Sequence, residues 1–266
     1  MTVDASEMLG AVFARQLRRA APSRLAAEHI ERIAAAGEAM MQQMLDGHSA
    51  MPVDAAFAEV LTTHPWVGTG DGHTPLVLER GLLYLRRYRE AECRLAACIR
   101  ARVARGADSF RLITGGPGTG KTSKVAELVA GYLDTDPGVR IALAAPTGKA
   151  AARMGEAIEA AWRRAGREDL LQRGQSSGVT VHRLLGYLPT ADRFRRTADD
   201  PLEHDVVIVD EASMLPLLMM DALLQAVRPD AKLFLLGDHD QLASVEAGSV
   251  LADLVRAQDA LGGALE

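Results

Sequence analysis

Two hydrophobic rhythms divide the chain. Up to about Arg105, apolar residues recur three and four positions apart in SEMLGAVFARQLRRA and in LAAEHIERIAAAGEAMMQQML, the spacing of amphipathic helices. The run LVLERGLLYL breaks that rhythm and predicts two short β segments around Glu79-Arg80-Gly81, behind a loop running from His64 to Gly72. From Phe110 onward the pattern changes to short apolar runs alternating with helical stretches: FRLIT, KTSKVAELVAGYL, VRIALAA, a helix around Met154, VVIVD and LFLLG. That alternation predicts an α/β fold, a parallel sheet with crossover helices. The expected organisation is a small, mostly α-helical N-terminal domain over residues 1–105 and an α/β domain over 106–266. Between Gly166 and Thr197, clusters of Gly, Gln, Ser and Arg predict an irregular surface segment. The sequence contains no internal repeat and no low-complexity tract.

Composition narrows the class. The 266 residues are 48% apolar and 24% charged, which fits a globular protein and excludes disordered and fibrous ones. The opening MTVDASEMLGAVFARQ has no apolar stretch of leader length, and no run approaches the ~20 apolar residues of a membrane span, so a cytoplasmic location is expected. Cys93 and Cys98, five apart in one predicted helix, suit neither a zinc site nor a disulfide framework, and are expected to be buried or half-buried apolar residues. With a net charge of −5, any contact with nucleic acid must come from a local basic surface.

Three segments carry chemistry. Gly115-Gly116-Pro117-Gly118-Thr119-Gly120-Lys121-Thr122 fits G-x-x-x-x-G-K-[ST] between the strand FRLIT and a helix beginning near Lys121. Its glycines leave backbone N–H groups free to face inward, and the helix N-terminus adds positive potential, so the loop suits phosphate. Lys121 is expected to bridge the β- and γ-phosphates of ATP, Thr122 to place its hydroxyl on Mg²⁺, and Ser123 to complete the nucleotide-binding stretch. A second apolar strand, VVIV, ends in Asp210 and Glu211. A buried parallel strand delivers its C-terminal end to a ligand crevice. There Asp210 is expected to hold the Mg²⁺ shell and Glu211 to orient and deprotonate the attacking water; a carboxylate after a strand also serves as a helix N-cap. The strand LFLLG leads to Asp238, His239, Asp240 and Gln241. The Gln241 amide can donate to a γ-phosphate oxygen and accept from water, the behaviour of a sensor, whereas Asp238 and Asp240 equally suit a tight turn.

In order, LITGGPGTGKTS, AAPTGKAAARM, TVHRLLGY, VVIVDEASM and LLGDHDQLASVEAGSVL resemble motifs I and Ia, a DNA-contact segment, and motifs II and III of the RecD family. That family comprises the alpha subunits of exodeoxyribonuclease V, which are superfamily 1 DNA helicases. The resemblance covers roughly Phe110 to Leu254, and more loosely the N-terminal region that leads through LVLERGLLYLRRYREAE. It implies a RecA-like P-loop NTPase domain using ATP and Mg²⁺, 5′-3′ movement, and a role in double-strand-break repair and recombination. The implied partners are single-stranded DNA and the beta and gamma subunits, with the N-terminal domain docking on gamma. DNA contacts are implied at Pro146, Thr147, Gly148 and Lys149, which follow a predicted strand and open a helix able to grip phosphate, and at Thr180, His182 and Arg183. His182 equally suits packing at a helix start; Arg153, Arg163 and Arg164 read as a solvated helix face.

Two departures stand out. Family helicases place a glutamine upstream of the phosphate loop to read adenine, but AACIRARVARGADSF has none and reads as shortened. The chain stops at Glu266, just past motif III, so the second motor domain with its arginine finger is expected to be absent. Such an arginine is worth ~10³ to 10⁵ in rate in related sites, so the chain alone is expected to bind ATP·Mg²⁺ without unwinding DNA. A stand-alone RecD-like helicase is a second reading, although the tandem helix-hairpin-helix elements of that group are not seen. A truncated paralogue that docks without turnover is a third, and a small-molecule kinase, which would lack the GDHDQ element, a fourth.

Overall fold

The structure is a computed structural model that describes residues 5–70, 72–106, 108–116, 121–238, 248 and 250–257. These residues group into two compact units that divide inside one helix, between Cys93 and Arg94.

In the first unit, helices α1 (Ala5–Ala20) and α2 (Ala27–Leu45) pack along each other, and α3 (Ala55–Thr62) joins them around Leu17, Ile33, Met40 and Leu61. Asp54 caps α3, its carboxylate accepting from the Phe57 N–H at 2.8 Å. The same core takes in Val67, Leu76, Leu78, Leu83 and Tyr84 of a four-stranded sheet. Its order is β1-β4-β3-β2, with β1 Ala50–Pro52, β2 Val67–Gly68, β3 Leu76–Glu79 and β4 Leu82–Leu85. Strands β3 and β4 are the two predicted segments. Arg80 and Gly81 join them with φ of 53° and 76°, the pair of positive values that a two-residue type I′ turn requires. Strands β1 and β2, of three and two residues, are too short to show alternation, so this unit holds more sheet than its pattern predicts.

In the second unit, five strands form a parallel sheet in the order β5-β11-β10-β6-β7. They are β5 (Phe110–Thr114), β6 (Ile141–Ala145), β7 (Val179–Thr180), β10 (Val206–Val209) and β11 (Lys232–Gly237). Ile113, Leu143, Ile208, Phe234 and Leu236 form one core with helices α5 (Lys121–Thr135), α6 (Gly148–Arg164) and α7 (Glu168–Arg173), where Trp162 donates its indole N–H to the Ala126 carbonyl at 3.0 Å. The alternate residues Val207, Val209, Leu233 and Leu235 are also fully buried, which is why these strands read as continuous apolar runs. The strand ends are in step: Thr114 pairs with Gly237, Val209 with Leu235 and Ala144, and Ala145 with Thr180.

The stretch expected to be irregular is built of short elements. Beyond α7 and β7 come α8 (Val181–Leu185) and a hairpin of β8 (Tyr187–Leu188) and β9 (Arg193–Phe194), all too brief for a periodic signal. Helix α4 (Arg86–Ala104) contains the division between the units, and α9 (Leu217–Ala226) and α10 (Val250–Arg256) complete the second. Within that unit Arg94 pairs with buried Asp221 at 2.7 Å. The buried Arg102 donates to the carbonyls of Ala231, Val227 and Arg228 at 2.8, 2.7 and 3.0 Å, closing the C-terminal end of α9. Cys98 is half-buried, but Cys93 is exposed, contrary to expectation, because it falls on the solvent side of α4 beside Arg89. Among the described residues no helix is long and apolar enough to cross a membrane.

Candidate active site

Every segment singled out for chemistry leaves the sheet at its C-terminal edge. Strand β5 ends at Thr114 and runs into Gly115 and Gly116, both half-buried; α5 then starts at Lys121. The Lys121 ammonium donates to the Gly115 carbonyl, folding the side chain over the start of the loop. Pro117, Gly118, Thr119 and Gly120 lie outside the described residues, as does the side chain of Thr122. Ser123 is exposed on the first turn of α5.

Two strands away, β10 delivers Asp210. Its N–H donates to the Ala144 carbonyl at 2.9 Å, and its Oδ1 accepts from the Glu211 N–H at 2.8 Å. Glu211 takes a left-handed conformation, φ 52° and ψ 34°, at a cost of about 1–2 kcal/mol. This bend ends the strand and turns the chain into a 3₁₀ turn, Ala212–Met214. The Asp210 carboxylate thus fixes the strained residue beside it and does not cap a helix in the ordinary way. Burial pushes the Asp210 carboxyl above its ordinary range, while the Glu211 N–H and the Lys121 ammonium pull the other way. Lys121 and Asp210, 89 positions apart in sequence, therefore feel each other's charge at this edge.

Between them β11 ends in Gly237, where a Cβ would stand 3.1 Å from the Ser213 nitrogen and 2.5 Å from Leu251 Cδ2. A side chain here would press on the turn after Glu211 and displace Leu251, so glycine suits this close approach. Asp238 follows, buried; Gln241 lies outside the described residues. Among the described residues no three His, Cys, Asp or Glu side chains come together as a metal cage. A lone carboxylate whose second oxygen meets no described hydrogen-bonding group is suited to a hard divalent ion that takes its remaining ligands from phosphate and water.

On the other side of β10, the β6–β7 pairing brings together the residues implied in DNA contact. Pro146 is half-buried, and Thr147, Gly148 and Lys149 are exposed at the start of α6. Thr147 and Thr180 are both N-caps, accepting from the N–H groups of Ala150 and Arg183 at 3.1 Å each. Their hydroxyl oxygens are thus engaged by the backbone, which leaves the hydroxyl proton, Lys149 and Arg183 to meet a ligand. Gly148, Thr180 and Arg183 line one groove of about 410 Å³ that also includes Glu156 and Glu159. Glu159 is occupied by Arg163 at 2.8 Å and Ser176 at 2.9 Å. His182 is exposed on α8 and meets the rings of Tyr187 and Phe194 at centroid distances of 5.5 and 6.0 Å. Arg163 and Arg164 lie on a solvated helix face, as expected, and Arg153 is exposed with them.

Sequence reasoning passed over Arg102, whose spacing looks like any charged helix position, and the Tyr187–Phe194 ring pair. The second left a usable signal, since two aromatics seven positions apart in a polar stretch are unusual in a chain only 4% aromatic.

Residues 97–247 match the family described as AAA domain. Among curated proteins, the "RecBCD enzyme subunit RecD" of Mycobacterium tuberculosis (strain CDC 1551 / Oshkosh) is 54% identical over 149 residues, 54% of this chain and 26% of that protein. The Haemophilus influenzae protein of the same name is 43% identical over 153 residues, 55% of this chain and 24% of that one. The "ATP-dependent RecD2 DNA helicase" of Deinococcus radiodurans is 43% identical over 149 residues, 55% of this chain and 18% of that one. The chain thus spans about a quarter of the RecD relatives' length at most, and the likeness is to one segment of them.

Proposed function

The chain belongs to the AAA-domain family, and from that membership we propose that it is the ATP-binding and hydrolysing motor portion of a 5′-3′ DNA helicase subunit of the exodeoxyribonuclease V type, acting in double-strand-break repair and recombination. The observation that carries the reading is the placement of half-buried Asp210 at the C-terminal end of β10, at the same sheet edge from which Gly115 and Lys121 leave β5, with burial raising the carboxyl's pKa and the Lys121 charge opposing that. A half-buried carboxylate and an ammonium at the same sheet edge, the latter at the start of the helix after a phosphate loop, are what a nucleotide·Mg²⁺ site needs before its ligand arrives.

In this reading the backbone from Gly115 to Gly120 cradles the phosphates, with Ser123 behind it. Lys121 exchanges the Gly115 carbonyl for β- and γ-phosphate oxygens. Thr122 and Asp210 would hold Mg²⁺, which would supply charge neutralisation at those oxygens. Glu211, aimed by its left-handed backbone, accepts the proton of the attacking water, and Gln241 senses the γ-phosphate. Single-stranded DNA runs past Pro146, Thr147, Gly148, Lys149, Thr180, His182 and Arg183, gripped through phosphates. Residues 1–105 dock on the gamma subunit and residues 106–266 are the motor, in a heterotrimer with the beta and gamma subunits working in the cytoplasm; the relatives' description as RecBCD subunits supports this assembly.

Binding of a fluorescent ATP analogue with Mg²⁺, and ATPase rate with and without single-stranded DNA, test the proposal. Wild type should bind, Lys121→Ala should lose binding, and Glu211→Gln should bind yet hydrolyse more slowly than wild type. Equal binding by wild type and Lys121→Ala would overturn it. A stand-alone helicase is the second reading, favoured by the 43% identity to the Deinococcus protein; co-purification with the beta and gamma subunits separates the two.

A further inference from the structure

We infer that Tyr187, Phe194 and His182 form a stacking surface for the bases of single-stranded DNA, so that the strand is held by base faces as well as by phosphates. The inference rests on the DNA-binding reading above and adds to its His182 two side chains, Tyr187 and Phe194, to which that reading gives no role.

Tyr187 and Phe194 are direct cross-strand partners in the β8–β9 hairpin, with ring centroids 5.5 Å apart, and His182 of α8 meets both. Elsewhere in this unit Phe110, Phe234 and Trp162 are at most 2% exposed, whereas Tyr187 is 37% exposed and His182 is exposed beside it. The Tyr187 hydroxyl donates to Asp192 Oδ1 at 2.7 Å, which fixes the ring without covering its face.

A cross-strand ring pair also steadies a short hairpin. Hairpin stability, however, does not explain the charges. Arg183, Arg193 and Arg195 are exposed, and among the described residues none of them has an ion pair; the next residue, Arg196, is engaged by Asp200 and Glu203. In a chain of net charge −5, the exposed Tyr187 and His182 rings, with unneutralised Arg183 next to His182 and Arg193 paired to Leu188 on the hairpin's other face, match a polyanion that also presents π faces. Single-stranded nucleic acid does so; a duplex keeps its base faces stacked inside. Arg183 also lines the groove with Gly148 and Thr180, so the rings continue the path already assigned to phosphates.

The test is fluorescence anisotropy of the complete chain with a labelled oligothymidine and with an abasic strand of equal length, without nucleotide. Tyr187→Ala and Phe194→Ala should each weaken oligothymidine binding by about five- to 150-fold, the loss of one base–aromatic stack. Tyr187→Phe, which keeps the ring, and Leu188→Ala, on the opposite hairpin face, should bind as wild type. The abasic strand should bind weakly and alike to wild type and Tyr187→Ala. Equal affinity of wild type for both strands, or wild-type affinity in Tyr187→Ala, overturns the stacking inference while leaving the phosphate path intact. Failure of wild type to bind either strand overturns the DNA-binding reading itself.

Discussion

Replacing Arg102 should damage the second unit more than any change at its visible surface. Arg102 is 3% exposed and its guanidinium makes three hydrogen bonds, to the carbonyls of Ala231, Val227 and Arg228. Hydrogen bonds from a charged donor are worth about 1.5–3 kcal/mol each, a nominal total of roughly 4.5–9 kcal/mol. Two effects reduce it. Burial lowers the Arg102 pKa from its ordinary value, which means the charge is held against a desolvation cost that alanine would not bear. Water can also reach the freed carbonyls through the adjoining groove of about 240 Å³ beside Cys98, Ala101 and Pro229. The expected net loss for Arg102→Ala is therefore about 3–5 kcal/mol, below the nominal total because three carbonyls lose a charged donor but no unpaired charge is left behind. The consequence is local to the turn between α9 and β11, and so to the alignment of the Asp210 and Gly237 strand ends. Urea unfolding followed by Trp162 emission in a Trp66→Phe background reports on this unit, since Trp162 is buried in its core. Arg102→Met separates hydrogen bonding from packing by keeping an apolar stem. A loss below about 1 kcal/mol in Arg102→Ala, or wild-type stability in Arg102→Met, would show that these hydrogen bonds do not hold the turn.

Other outcomes follow from the same geometry. Because the Asp210 carboxyl is held above its ordinary range, it binds its proton more tightly folded than unfolded, so its ionisation lowers stability as pH rises from the unfolded to the folded value. Asp210→Asn should thus unfold no earlier than wild type at neutral pH, yet lose at least about tenfold in ATP·Mg²⁺ affinity, measured by titration calorimetry. Asp205 is the opposite case, drawn down to about 2 by Arg140 and then Arg228, so its contribution is present above the unfolded value of 3.8 and lost as pH falls towards 2. With its side chain 37% exposed, screening leaves about 1 kcal/mol, and Asp205→Ala should flatten the acid limb of the stability profile. At Gly178 a Cβ would stand 2.6 Å from the Ala151 carbonyl oxygen, so Gly178→Ala should cost about 1–3 kcal/mol by differential scanning calorimetry. It should also weaken single-stranded DNA binding by pushing Thr180 and Arg183 away from α6.

The sequence by itself determined the order of strands and helices in the second unit, because buried parallel strands must be apolar throughout and their crossover helices amphipathic. It also determined which residues sit where a strand gives way to a polar turn: Gly115 after FRLIT, Asp210 after VVIV, Asp238 after LFLLG. Only the tertiary structure decided that β11 lies between β5 and β10, which places Gly237 where the Glu211 turn needs room. It also decided that Thr147 and Thr180 cap two neighbouring helices, and that Tyr187 faces Phe194. Those facts depend on strand register and on elements of two to five residues, too short for any period along the chain to announce. Arg102 shows the same limit at a single residue. Nothing in its sequence neighbourhood marks a buried cation, because the carbonyls that hold it come from more than 120 positions away.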